Sequence, residues 1–200
     1  GSEMCIRDSN SIGTSYGAAQ SFTTLSSLTL PTVGSSYGGG IVAYVYQNGD
    51  PGYTSSNIPV LITSNDIQGL TRWHNGSNTT TGATATALGT GLANTNAIIT
   101  NQGASTGGYT YAAALAKAYN GGGFTDWYLP SQVELDKLFL NRVAIGGFTS
   151  AYNYFWASTE LSASNVILQN FFSSSSTVLN FSKAATGGTA VSYTHLRAHE

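Results

Sequence analysis

Few side chains in this sequence have the chemistry for turnover. The 200 residues hold 7 Lys+Arg, 9 Asp+Glu, 3 His and 1 Cys. A hydrolase needs a nucleophile beside a base, or two carboxylates sharing one cleft. His74 is the sole imidazole outside the last six residues, and no spacing ties a serine to it. Paired carboxylates for glycosidic cleavage would have to come from Asp126, Glu134 and Glu160. Asp126 precedes Trp127 as a turn anchor, and Glu134 stands three residues after Ser131, the spacing of a helix cap. A lone cysteine leaves no internal disulfide and no cysteine-based zinc site. The scattered acids do not form a calcium cage, although carbonyl-rich loops are compatible with weak binding. Gly121–Gly123 follows a helix and leads into an apolar turn, which is the wrong context for a phosphate loop. Glycosylation sequons at Asn75, Asn78 and Asn180 are expected by chance in a chain this rich in Asn, Ser and Thr. No catalytic residue, cofactor or metal site is expected.

The segment Tyr152–Ser176 has a different character. It interleaves aromatics with amides and serines, which together offer broad contact area and adaptable hydrogen bonds to a neutral, hydroxyl-rich or protein ligand. The candidate ligand-binding residues are Tyr152, Asn153, Tyr154, Trp156, Glu160, Asn165, Gln169 and Asn170. Ordinary alternation in a half-buried sheet accounts for the same pattern, and Trp127 and Trp156 read first as core aromatics. Nucleic acid is an unsuitable partner, because a net charge of −2 leaves little to neutralise phosphates. No run of about 18 apolar residues is present to span a bilayer.

The two ends share an unusual relation. Residues 1–8 read GSEMCIRD and residues 191–198 read VSYTHLRA, and one set of codons for the first is the reverse complement of codons for the second. Those codons resemble the transposase-end adaptor of sequencing libraries. Residues 1–9 and 191–200 are therefore expected to be adaptor-derived tails on a fragment of a longer natural chain, and they are set aside in reasoning about fold. Residues 10–189 then hold Arg72, Lys117, Lys137, Arg142 and Lys183 against Asp50, Asp66, Asp126, Glu134, Asp136 and Glu160, a net of −1.

Residues 10–27 read as strand, turn and strand. Residues 28–36, with Pro31 and Gly34, read as a linker. From Tyr37 to Tyr46 the apolar residues run with little polarity between them, as in a strand buried on both faces. Val60–Thr63 is a second short strand, and Ala93–Ile99 a helical turn or two. Clear helices are expected at Tyr111–Asn120, ended by Gly121, and after Ser131. In the latter, Leu135, Leu138 and Phe139 form an apolar stripe, while Asp136, Lys137 and Asn141 face water. Strands at Tyr154–Thr159, Val166–Phe172 and Thr177–Ser182 make a meander. The expected class is α+β, a mostly antiparallel sheet flanked by two helices.

Four blocks carry a resemblance. Gly38–Val45 (GGGIVAYV), Thr80–Gly103, Asp126–Leu135 (DWYLPSQVEL) and Phe155–Glu160 (FWASTE) are similar to the Lcl C-terminal-domain family of bacterial surface modules. The resemblance implies a C-type-lectin-like fold over residues 37–190, with the family's arginine-bearing last strand truncated. Asn10–Thr24 (NSIGTSYGAAQSFTT) resembles the closing hairpin of a fibronectin-type-III-like module. The implied function is a non-enzymatic ligand-binding or adhesion module at the bacterial cell surface or outside the cell. Its partner would be a glycan or a cell-surface protein, and self-association into a homo-oligomer is compatible. Formylglycine-generating relatives of the fold need cysteines that the trimmed chain lacks, and the Glu-Pro-Asn and Gln-Pro-Asp loops of calcium lectins are absent. Two alternatives stand beside adhesion: a diversified receptor of a retroelement-driven hypervariation system, and a structural module of a surface or phage-fibre protein.

Overall fold

The computed structural model describes residues 30–64, 67–105, 107, 110–148, 154–172 and 177–188, with the strand backbones at 2–4, 7–10, 13–16, 20–22 and 192–195. It is α+β and divides into two units, Gly1–Leu30 and Pro31–Glu200. In the first unit, β1 (Ser2–Met4) pairs antiparallel with β4 (Gln20–Phe22), and β2 (Arg7–Asn10) pairs antiparallel with β3 (Gly13–Tyr16). The strand backbones at 2–4 and 7–10, set aside in the sequence reading, thus pair with those at 20–22 and 13–16.

The second unit begins earlier than residue 37. The Gly34 amide donates to Val42 O at 2.8 Å and the Val42 amide to Ser35 O at 2.9 Å. Gly34 has φ +88°, and a Cβ there would lie 2.6 Å from Ala144 O. Residues 31–36 are therefore packed chain rather than linker, held by hydrogen bonds that a composition-based reading does not register.

One sheet of this unit has the order β13-β7-β6-β5, from β5 (Ser36–Tyr37), β6 (Gly40–Val45), β7 (Val60–Thr63) and a strand at Ser192–His195. The other has the order β11-β10-β9-β12-β8, from β8 (Leu70–Thr71), β9 (Tyr154–Glu160), β10 (Asn165–Asn170), β11 (Thr177–Ser182) and β12 (Gly187–Gly188). All pairings are antiparallel except the contact of β12 with β9. β7 pairs antiparallel on its other side with β13 (Ser192–His195). A sheet edge presents backbone donors and acceptors, which almost any extended segment can satisfy.

Among the described residues four helices accompany the sheets, where two clear helices and a helical turn or two at Ala93–Ile99 were expected: α1 (Gly91–Gln102), α2 (Ala112–Ala118), α3 (Gln132–Leu140) and α4 (Arg142–Ile145). The weak periodicity of Ala93–Ile99 hides a helix of 12 residues because its buried positions include Asn94, Thr95 and Gln102. Polar residues with tertiary partners break the pattern from which helices are read. Helix α4 has only 4 residues, too short for a periodic signal.

Both faces of the central strands are buried, with successive residues in different cores. Val42, Ile62, Trp156 and Leu168 join Trp73, Ile98 and Trp127 in one cluster. Their chain neighbours Ala43, Leu61, Phe155 and Ile167 join Leu135, Leu138 and Phe139 in the other. The two-residue strand repeat makes this division, and each large apolar side chain so buried contributes about 1.5–3 kcal/mol.

Candidate functional site

Two regions stand out: a buried polar framework around the end of β9 and an aromatic cleft beside α4. The framework begins with an irregularity in pairing. Along β9 and β10 the register passes from Leu168↔Trp156 to Val166↔Glu160, so the intervening β9 residues are out of step. Their backbone groups bond elsewhere: Ser158 N–H to Pro130 O at 2.7 Å, and Glu160 N–H to Ala83 O at 2.7 Å. The bulge aims the end of the strand at the Thr79–Thr86 loop.

Glu160 is a hub in that loop. Its Oε2 accepts from Thr81 N–H at 2.8 Å, Thr81 Oγ1 at 2.9 Å and Gly82 N–H at 2.9 Å. Its Oε1 accepts from Lys183 Nζ, and both side chains are almost fully buried. Lys183 Nζ also donates to Thr79 O at 2.8 Å and lies 4.6 Å from the centroid of the Trp73 ring. Desolvation lowers the lysine pKa, opposed by the Glu160 hydrogen bond and charge. Neighbouring His74 is buried, its Nδ1 accepting from Gly76 N–H at 2.9 Å. Desolvation lowers its pKa most, with smaller contributions from the cations Arg72 and Lys183.

Glu134 is a second hub. The expected capping box is present: the Glu134 amide donates to Ser131 Oγ, and the Ser131 amide to Glu134 Oε2 at 2.7 Å. Oε1 accepts further from Gly89 N–H at 3.0 Å and Tyr128 Oη at 3.1 Å. Gly91 makes room for this carboxylate, since a Cβ there would fall 2.2 Å from Oε2. Desolvation raises the Glu134 pKa against these donors. Asp126 is exposed. Glu134 and Glu160 thus belong to separate hydrogen-bond sets, each filled by protein donors, and do not face one another across a cleft.

The eight candidate ligand residues are not brought together. Tyr152 and Asn153 lie outside the described residues. Tyr154, at the start of β9, is exposed and sits opposite half-buried Asn170. Trp156 is corrected to a core position: it is 0% exposed and its Nε1 donates to Thr71 O at 2.9 Å. Glu160 is corrected likewise, to the framework hub. Gln169 is buried and its Nε2 donates to Asp136 Oδ1 at 3.2 Å. Asn165, half-buried, lies at the far end of β10, where its amide closes the turn by donating to Ser162 Oγ. Asn170 Oδ1 accepts from Phe172 N–H at 2.8 Å, shaping the exit from β10. Alternation counted the residues correctly but not the faces, because both faces of β9 and β10 are covered. For the same reason the face of α3 expected to meet water is partly used: Lys137 Nζ lies 4.2 Å from the Tyr44 ring centroid, and Asn141 Nδ2 donates to Ala43 O.

The cleft lies beyond the Tyr154–Asn170 pair. It has a volume of ≈ 400 Å³ and is lined by Arg142, Val143, Gly146, Phe148, Phe171 and Phe172. Phe148 meets Phe171 at 4.7 Å and Phe155 at 5.4 Å between centroids, and Phe171 stands 4.6 Å from Phe155. Phe148 and Phe171 line the cleft, packed on buried Phe155 beneath them. Arg142 spreads over Phe139, 4.0 Å from its centroid, and Nη1 donates to Phe139 O at 2.7 Å. Val143 and Phe172 are exposed at 89% and 48%, and Leu140 nearby is exposed as well. Among the described lining residues there is no carboxylate, imidazole or hydroxyl. Of these residues, the aromatic run directed attention to Phe171 and Phe172. Val143 with Leu140, three apart and both apolar after a polar helix face, was the available signal for the rest.

Among the described residues no group of three or more His, Cys, Asp or Glu side chains converges as a metal site. No described helix is long and apolar enough to cross a membrane. No family model and no curated protein matches the chain.

Proposed function

We propose that the chain is a non-enzymatic ligand-binding or adhesion module of a bacterial surface protein, acting outside the cell and gripping a glycan or a surface protein through the aromatic cleft. The cleft carries this reading. It joins a fixed aromatic floor to exposed apolar side chains and a guanidinium, a combination that provides contact area and orientation without a proton-transfer pair. The acids that sequence spacing offered for catalysis are engaged elsewhere: Glu134 caps α3, and Glu160 holds a loop.

The proposed family is the Lcl C-terminal-domain group, with a C-type-lectin-like fold, following the end of a fibronectin-type-III-like spacer. Its support lies in how the four similar blocks meet. Val42, Ala83, Ile98, Trp127, Leu129 and Trp156, drawn from all four, share one core cluster. The blocks that carry the resemblance are scaffold, and apart from Phe155 beneath the cleft none of its residues comes from them, so the ligand is set by lining residues on which the resemblance is silent.

The test uses the full chain on an array of neutral and acidic glycans and on immobilised surface glycoproteins, beside Phe172→Ser. Saturable binding that Phe172→Ser weakens at least tenfold, with every glycan recovered intact, supports the reading. Cleavage of a glycan without stable binding overturns it.

A further inference from the structure

Glu160 and Lys183 meet out of reach of solvent, with side chains 1% and 0% exposed. The carboxyl group is held unsymmetrically. Oε1 faces the lysine Nζ and takes a second, longer contact from the Thr81 amide at 3.0 Å, whereas Oε2 sits among three donors: the amides of Thr81 and Gly82 and the Thr81 hydroxyl. An amine on one side of a carboxyl carbon and a preset cluster of donors on the other is the arrangement aminolysis requires. The donors stabilise charge that develops on oxygen, and fixed proximity replaces a bimolecular encounter. Exclusion of water protects the product from hydrolysis. Burial also favours the neutral, nucleophilic form of the lysine.

We propose that Lys183 and Glu160 are a modification site, condensing into an intramolecular amide. The Nζ–Cδ bond forms and the Cδ–Oε1 bond breaks. In the tetrahedral intermediate the negative charge rests on Oε2, within the Thr81 and Gly82 donors. Of the three ammonium protons, two leave with Oε1 as water and one stays as the amide N–H, which keeps Thr79 O as its acceptor. Ammonium and carboxylate thus give amide and water, with no change of oxidation state and no co-reactant. The bond would tie the end of β9 to the residue after β11 and enclose β10 between them, a covalent clasp on the sheet.

The test is independent of any ligand. The full chain is purified, denatured and weighed intact, then digested with trypsin, with Lys183→Arg treated alongside. Arginine keeps a cation against Glu160 but cannot form the amide. No Lys or Arg lies between Arg142 and Lys183, or between Lys183 and Arg197. An unmodified chain therefore yields residues 143–183 and 184–197 as separate peptides, as the variant will. The clasped chain is expected to be lighter by one water and to yield 143–197 as one peptide, with the loss mapped to Glu160 and Lys183. Separate peptides at full mass from the unsubstituted chain overturn the proposal, as does a water loss that maps elsewhere. Neither result bears on binding through the cleft, so the two readings stand or fall separately.

Discussion

The framework at the end of β9 and the cleft beside α4 are built from opposite materials. In the framework, charged and polar groups are buried, and several contacts join segments distant in sequence: Glu160 to Thr81, Glu134 to Gly89, Asn94 to Ser158. In the cleft, apolar groups are exposed over a floor of phenylalanine rings. In a chain with so few charges, the buried carboxylates serve as connectors for loop amides that no helix or ladder satisfies. An unpaired buried amide costs about 1–3 kcal/mol, so one carboxylate that satisfies several is an economical way to order irregular chain. The cleft, by contrast, is aromatic and aliphatic apart from Arg142.

Substitutions that exchange these roles test the contrast. The largest effect is expected from Glu160→Ala, which leaves Lys183 buried without its partner, ionic or covalent, and the loop amides of Thr81 and Gly82 without an acceptor. Urea denaturation should show a loss of about 3–5 kcal/mol. A loss below about 1 kcal/mol would mean that the framework does not hold the fold.

Glu134→Ala comes next, at about 1–3 kcal/mol, because it removes the cap of α3 and orphans the Gly89 and Ser131 amides. Its pH dependence has a definite sign. Burial raises the folded-state pKa above the ordinary 4.5, so the folded state holds the proton more tightly than the unfolded one. The resulting stabilisation is complete below pH 4.5 and is lost as pH rises through the raised value. The stability gap between the unsubstituted chain and Glu134→Ala should narrow over that rise. A gap that widens would reverse the assignment.

His74 gives a smaller effect of the opposite sign. Its folded-state pKa lies below the ordinary 6.5, so the unfolded state takes up protons first. Its contribution is present above pH 6.5 and declines as pH falls through the lowered value. Denaturation midpoints followed downward from pH 7 should fall less steeply in His74→Gln.

The smallest effect on stability belongs to the cleft. Phe172→Ser should change unfolding free energy by no more than about 0.5–1 kcal/mol while weakening ligand binding at least tenfold. Comparable losses of stability from Phe172→Ser and Glu160→Ala would erase the distinction between the regions.

The framework's ends were visible in the sequence, but its connections were not. Ser131 and Glu134 announce their cap because both partners lie within one turn. Nothing local links Glu160 to Thr81, or Lys183 to Glu160, since those contacts span 79 and 23 residues. The alternation in β9 and β10 marked strands correctly, yet it left Trp156 and Gln169 undecided between a core and a ligand-facing position. Period two says that neighbouring residues point to opposite faces. It does not say whether one of those faces is wet.

By itself the sequence determined the α+β class, the strands at β6, β7, β9, β10 and β11, the helices at α2 and α3, and the scarcity of catalytic groups. All of these depend on local periodicity, turn chemistry or composition. The tertiary structure decided which faces are covered, how far the helical turns at Ala93–Ile99 extend into α1, that residues 31–36 pack within the second unit, and that three phenylalanines and Arg142 line a cleft. Those outcomes depend on contacts between distant segments, and a buried carboxylate or an exposed ring takes its meaning from what lies against it.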